Sequence, residues 1–230
     1  MRIFRRTQYA MAGFSRLISI AMIAFAGLAL TGISASAHPH VFVEANLEVL
    51  RNKDGAVTEL RHVWRFDELF SSTVLLDFDA NGDGKLDASE LDEVSKVVTE
   101  SIGESDFFTE VRHGSSKLSF IPADAILVDF TDNQALMFFA LKFEKPIEIG
   151  DSKDFRISVS DPSYYVSMDI LDESAIQITG DGTACDVSIT RPDFDLLMAS
   201  GATLTEQFFA DPQNAVLGDD WRTWIGLECS

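Results

Sequence analysis

The chain has 230 residues, 37 acidic against 18 basic side chains, a formal net charge of −19 and 46% hydrophobic residues. This length carries one sizeable domain with its own core. The acidic excess speaks against nucleic acid and anionic membrane surfaces as partners, and it suits a protein that meets cations.

Residues 1–16 hold Arg2, Arg5, Arg6 and Arg16 and no acid, an apolar run follows from Leu17 to Leu30, and Ala35-Ser36-Ala37 supplies small residues for cleavage. The pattern predicts a secretory signal peptide over 1–37 and a mature chain over 38–230, folded as a single β-rich domain. The apolar run is short for a membrane span, so the mature chain is expected in the periplasm and not embedded in a membrane.

From Val41 to Val49 the odd positions are apolar, which predicts a half-buried strand. A turn at Asn52-Lys53-Asp54-Gly55 leads to a second strand over 57–66. A hairpin turning on Lys53-Asp54 or on Asp54-Gly55 sets Val41, Val43 and Leu47 beside Leu60, Trp64 and Phe66 on one apolar side. In the first of these registers His40 falls opposite Asp67.

A helix over 67–78 follows, with Leu69, Phe70, Val74 and Leu75 as its apolar stripe, and a second over 87–102 with Leu91, Val94, Val97 and Val98 facing in. Between them lies Asp79-Ala80-Asn81-Gly82-Asp83-Gly84-Lys85-Leu86-Asp87-Ala88-Ser89-Glu90. Oxygen-bearing side chains stand at loop positions 1, 3, 5, 9 and 12, with glycine at position 6. This is the spacing of an EF-hand loop. Asp79, Asn81 and Asp83 alternate so that each can turn inward, and Gly84 allows the sharp bend. Lys85 offers its backbone carbonyl, Asp87 acts directly or through water, and Glu90 supplies two carboxylate oxygens. An all-oxygen donor set of this number predicts Ca2+. The plainer alternative is an acidic turn rich in Asp, Asn and Gly that holds no ion.

Short strands are expected at 107–113, 117–121, 126–131, 135–144, 155–160, 164–171, 175–179 and 184–190, with turn residues at most joins. That is the pattern of an antiparallel sandwich or barrel. A helix over 193–210 carries Leu196, Leu197, Leu204 and Phe208, and 221–227 reads as a final strand. The expected fold is therefore mainly β (α+β), an antiparallel β-sandwich-like domain with an EF-hand helix-loop-helix inserted at about 67–102. Cys185 and Cys229 are the two cysteines. In an exported chain they predict a disulfide, with two free thiols or a soft-metal pair as the alternatives.

The four histidines are His38, His40, His62 and His113. A mature chain starting at His38 presents a terminal amine and two imidazoles, but Pro39 has no N–H, which rules out the amide-bound copper or nickel chelate of an x-x-His terminus. His38 and His40 remain as imidazole ligands for zinc, nickel or copper (Zn2+, Ni2+, Cu2+), against a frayed, solvated terminus. His62 shares parity with the apolar residues of its strand and reads as a hydrogen-bonded core histidine. Asp161-Pro162-Ser163-Tyr164-Tyr165 reads as a turn entering a strand, with a ligand-binding rim as the alternative. No nucleophile–base set, phosphate loop or zinc-protease helix occurs, so binding is expected rather than catalysis.

The His-Pro-His-Val-Phe start, Trp64-Arg65-Phe66-Asp67-Glu68, the acidic loop, Asp161-Pro162-Ser163-Tyr164-Tyr165 and Glu228-Cys229 together resemble an exported bacterial family of unknown function. That family is often described as the periplasmic component of an uncharacterised ABC-type transport system, and its members are often encoded beside nickel/cobalt-type efflux permeases. The resemblance covers essentially all of 38–230. It implies divalent-metal handling with a membrane permease as partner, and it brings no catalytic residue. Strand following strand does not build a two-lobed solute-binding protein, so an accessory role is expected. The competing reading is a calcium-stabilised β-sandwich that binds a protein partner through Tyr164, Tyr165 and nearby aromatics, with no transition metal.

Overall fold

Alternating apolar and polar residues build the first hairpin, in which β1 (Val41–Arg51) pairs antiparallel with β2 (Val57–Phe66). The register places Val43 opposite Phe66, Ala45 opposite Trp64, Leu47 opposite His62 and Val49 opposite Leu60, and all eight are buried. The expected apolar side therefore forms. The main ladder has the register of a turn on Asp54-Gly55, but a one-residue shift beyond Leu50, where Arg51 meets Val57, leaves Lys53, Asp54 and Gly55 as the loop, with the Gly55 N–H donating to the Asn52 carbonyl at 3.0 Å. Asp67 consequently lies beside Phe42 and not beside His40: the Asp67 N–H donates to the Phe42 carbonyl, and the Phe42 N–H donates to Asp67 Oδ2 at 2.9 Å.

The computed structural model describes residues 39–149, 154–182, 184–199 and 218–229. After the hairpin come α1 (Glu68–Phe78) and α2 (Ala88–Gly103). Among the described residues ten further strands follow: β3 (Thr109–His113), β4 (Ser116–Leu118), β5 (Phe120–Ile121), β6 (Leu127–Thr131), β7 (Gln134–Ile147), β8 (Phe155–Val159), β9 (Val166–Asp169), β10 (Ile176–Gly180), β11 (Cys185–Thr190) and β12 (Trp224–Cys229). A short α3 (Phe194–Ala199) lies within the helix expected at 193–210, and Leu204 and Phe208 fall outside the described residues.

The strands form two sheets, so the protein is mainly β. The first runs β10-β1-β2-β7-β5, with β6 also on β7 and β9 also on β1. The second runs β11-β12-β8-β3-β4. The expectation of an antiparallel fold needs one correction. Both β9 and β10 pair parallel with β1, one after the other along the same edge, while the remaining pairs are antiparallel. A parallel partner requires a long crossover, and β1 has the whole intervening chain available for it.

Inward residues of both sheets make one continuous core, including Trp64, Met137, Phe139 and Leu141 from the first sheet and Val111, Phe155, Ile157, Ile225 and Leu227 from the second. Cys185 and Cys229 face each other directly across β11 and β12 and are joined as a disulfide. The close approach of β10 to β1 requires glycine, because a Cβ on Gly180 would stand 2.0 Å from the Arg51 carbonyl oxygen.

The helices dock less symmetrically than their apolar stripes suggest. On α1 the buried residues are Ser71 and Val74, while Leu69 is 78% exposed. This helix is apolar on several sides, so polar contacts select the inward one. The Ser71 hydroxyl donates to the Asp67 carbonyl and accepts from the Ala135 N–H at the start of β7. On α2, Glu90 and Val94 are buried and Val97 is 47% exposed. Here the Ser95 hydroxyl donates to the Ile126 carbonyl, and Thr99 Oγ1 accepts the Ile126 N–H at 2.9 Å, which turns that side of the helix toward β6.

Candidate functional site

The segment between the two helices is shaped by its caps. Asp67 stands at the N-cap of α1 with its side chain accepting the Phe70 N–H. Asp87 and Glu90 form a capping box at the start of α2, in which Asp87 accepts from the Ser89 and Glu90 N–H groups and Glu90 Oε2 accepts from the Asp87 N–H. Each device satisfies backbone donors that the first helical turn leaves without intrahelical partners. The same two residues are loop positions 9 and 12, so the end of the acidic loop and the start of the helix are one structure.

Within the loop the side-chain oxygens gather the backbone around themselves. Asp79 Oδ1 accepts from the N–H groups of Gly82 and Asp83 at 2.7 and 3.1 Å, and its Oδ2 accepts from Gly84 at 2.8 Å. Asn81 Oδ1 takes the Asp83 N–H, and Asp83 Oδ1 takes the Lys85 N–H, each at 2.9 Å. Glu90 Oε1 reaches back across the loop to the N–H groups of Ala80 and Asn81 at 2.9 and 3.2 Å. Gly84 has φ +78°, with nothing within 4 Å of where a Cβ would be. Glycine is used there for its left-handed backbone, not for lack of room. The Ser89 hydroxyl is the largest influence holding the Asp87 carboxyl below its ordinary range, followed by the Glu90 and Ser89 N–H groups.

Asp79, Asn81, Asp83, Lys85, Asp87 and Glu90 are thus brought into one loop. All the side-chain donors are oxygens, which fits a hard cation in kind and spacing. Among the described residues, however, no group of three or more His, Cys, Asp or Glu side chains is gathered as metal ligands. The reason is visible in the bonds above: the carboxylates are turned onto the loop's own N–H groups. Asp79 and Glu90 each accept three N–H bonds, and Glu90 is only 7% exposed.

The histidines are not brought together. His38 lies outside the described residues. His40 is exposed, its N–H donates to the Tyr165 carbonyl at 2.9 Å, and its ring lies 4.9 Å from the Tyr165 ring. His113 stands edge-on to Phe155 at 6.2 Å. His62 is a core residue, as its parity requires, but it is not the hydrogen-bonded one expected. Its ring stacks on Phe139 at 4.5 Å, neither nitrogen has a partner, and burial pushes its pKa down to about 3.

The Asp161–Tyr165 segment is a turn built on a buried carboxylate. Asp161, 4% exposed, accepts from the N–H groups of Ser163, Tyr165 and Val166 and from the Ser163 hydroxyl. Tyr164 takes φ +59°, and Tyr165 is 48% exposed. Sequence reasoning missed a group on the outer face of the second sheet, where the Arg112 and Arg156 guanidinium groups lie over the Trp224 ring at 5.1 and 4.4 Å and both reach Asp219. The alternation of buried Val111 with Arg112 was the available signal.

No helix among the described residues is long and apolar enough to cross a membrane. No curated protein matches the chain. Residues 23–229 match a family described as proteins of unknown function (DUF1007), and the chain belongs to that family.

Proposed function

We propose that this is a non-enzymatic periplasmic calcium-binding protein that serves a divalent-cation transport system as an accessory. The observation that carries the reading is the 79–90 loop, in which Asp79, Asn81, Asp83 and Glu90 wrap the backbone around a bend at Gly84. A disulfide suits an exported protein. The transport role rests on the family resemblance, which supplies a permease for divalent metal ions as partner.

Bound calcium supplies charge that offsets the mutual repulsion of Asp79, Asp83, Asp87 and Glu90. The chain's part is to release some N–H bonds of these carboxylates and keep the loop's turn, which Gly84 and the Asp87–Glu90 capping box hold from both sides. A single loop and the absence of methionine between residues 67 and 102 favour a structural site over a sensor, which opens a Met-rich groove. At calcium a hundredfold above its dissociation constant, stabilisation is about 2.7 kcal/mol. Glu90→Gln is expected to lose most of this, with a fall of several degrees in melting temperature. Calcium titration followed by melting and by hydrophobic-dye binding checks it. A melting point indifferent to calcium overturns the site, and a large calcium-dependent dye signal makes it a sensor.

The transition-metal part is tested separately. Equilibrium dialysis with zinc, nickel and copper is expected to show binding tighter than millimolar that is lost in a His38→Ala/His40→Ala variant. Unchanged binding in that variant removes the histidines from the function and leaves a calcium-stabilised module for a protein partner.

A further inference from the structure

Arg51, the last residue of β1, is a charged side chain in a place where charges are rare, only 8% exposed. A buried guanidinium is costly unless its N–H groups find acceptors. Here Arg51 Nη1 donates to Cys185 Sγ at 3.1 Å. A disulfide sulfur is a weak acceptor, so this bond does little for the oxidised protein. A Cys185 thiolate in the same place is a charged acceptor, and charge-assisted bonds are roughly twice as strong as neutral ones.

The neighbouring backbone is fitted to the guanidinium. Gly180 stands opposite Arg51 in the β10–β1 pair, and Gly182 follows with φ +116°. A Cβ on Gly182 would lie 3.1 and 3.2 Å from Arg51 Nη1 and Cζ, so glycine is what lets the chain pass so close. The guanidinium is thereby confined on the side of Cys185.

The two sulfurs are placed unequally. Cys229 lies in β12, inside the second sheet, and is 5% exposed. Cys185 opens β11, the outer strand of that sheet, and is only half-buried. The nearest acids along the ladder are Asp186 and Glu228, which oppose each other one step on, and strand alternation turns them to the other face of the sheet. Asp181, between the two glycines, is exposed. A cation beside a partly exposed cysteine is the environment of a reactive thiolate, and a buried cation acts more strongly than a solvated one.

We propose that Cys185 is a thiol–disulfide exchange site, at which the reduced chain reacts with an external disulfide. The Cys185 thiolate, held by Arg51, attacks one sulfur of that disulfide, which forms a mixed disulfide and releases the other sulfur as a thiolate. Cys229 then loses its proton and attacks Cys185 Sγ, which closes the Cys185–Cys229 bridge and releases the second thiolate. Two electrons pass to the external disulfide, and the two protons lost by this chain are taken up by the two released thiolates. The site is independent of the calcium loop and of His40.

Titration of thiolate absorbance in the Cys229→Ala variant, folded by circular dichroism, is expected to give Cys185 a pKa below about 7.5, against ~8.5 for an ordinary thiol. Adding Arg51→Met is expected to return the ordinary value and lower the thiolate fraction near pH 6.5 by about tenfold. Arg51→Lys keeps the charge and is expected to keep most of the effect. The wild type supplies a measurement that needs no variant. Brief treatment of the folded, oxidised protein with glutathione reverses the closing step, and acid quenching followed by mass mapping is expected to find glutathione on Cys185 over Cys229 by about tenfold or more. The same treatment in urea is expected to show no such preference. An ordinary Cys185 pKa in the folded Cys229→Ala variant, a pKa unmoved by Arg51→Met, or glutathione shared equally between the two cysteines of the folded wild type overturns the proposal.

Discussion

Removing the disulfide by a Cys185→Ala/Cys229→Ala double substitution is expected to lower the stability of the protein by about 4 kcal/mol in the chain-entropy account. The two cysteines are 44 residues apart in sequence and directly opposed in the β11–β12 pair. The bridge therefore closes a long loop in the unfolded chain. It also secures β12, which lies inside the second sheet between β11 and β8 and contributes buried Ile225 and Leu227 to the core. Without the bridge, β12 depends on its ladder bonds, with Arg112 and Arg156 on Trp224 and Asp219 holding the turn just before it. The Arg51 guanidinium also donates to Cys185 Sγ at 3.1 Å, so the loss reaches the end of β1. Alanine is the better replacement at Cys229, which is buried and would leave a serine hydroxyl to satisfy. Urea denaturation of the wild type, oxidised and reduced, beside the double variant checks the figure. A change below about 1 kcal/mol would falsify the role given to the bridge.

What was legible in the sequence follows from which physical signals are local. Period-two alternation fixed the inward faces of β1 and β2, because a one-residue slip would expose every apolar side chain. Choosing between two equally consistent turns was beyond it, since both give the same faces. The actual turn separates His40 from Asp67 and removes the ligand pair that the other register offered. Both helices were legible from their apolar residues and the loop spacing between them, while Asp67 and Asp87, where they were expected to begin, are their N-caps. Their docking was not, since Ser71, Ser95 and Thr99 choose the inward side through bonds to Ala135 and Ile126, residues from distant parts of the chain.

The parallel pairing of β9 and β10 on β1 was hidden for a related reason. Strand propensity marks a segment as extended but carries no partner or direction, and the partners here are more than a hundred residues away. The left-handed turn at Asp106–Phe108 runs against local preference, as Phe is a poor residue for positive φ. Its reason is tertiary: the turn packs Phe107 against Phe139 and Phe108 over Trp64. In the acidic loop, spacing marked the candidate donors, and the fold adds that Glu90 is bound to three N–H groups at once. Any cation must therefore compete with the loop's own backbone for that carboxylate.

Acidification is expected to destabilise the protein through His62 well before most carboxylates titrate. The ring is buried between Phe139 and Trp64 with both nitrogens unpartnered, and burial lowers its pKa from the ordinary 6.5 to about 3. The folded state keeps the imidazole neutral, whereas the unfolded state takes up a proton as the pH falls below about 6.5. Unfolding is thus favoured by added protons between these two values. The stability associated with neutral His62 is fully present above pH 6.5 and is lost as pH falls toward 3, at about 1.4 kcal/mol per pH unit. At pH 5 the loss is about 2 kcal/mol, a large share of a typical domain's 5–15 kcal/mol. His62→Leu removes both the titration and two unsatisfied nitrogens, so it is expected to be no less stable than wild type at pH 8. At pH 5 it should be more stable by about 2 kcal/mol beyond any difference at pH 8. Urea denaturation of both proteins across pH 8 to 5 measures that difference directly, and carboxylates common to the two cancel in it. Parallel pH profiles would show that His62 keeps an ordinary pKa in the fold, and hence that its ring finds a proton acceptor or water within the core.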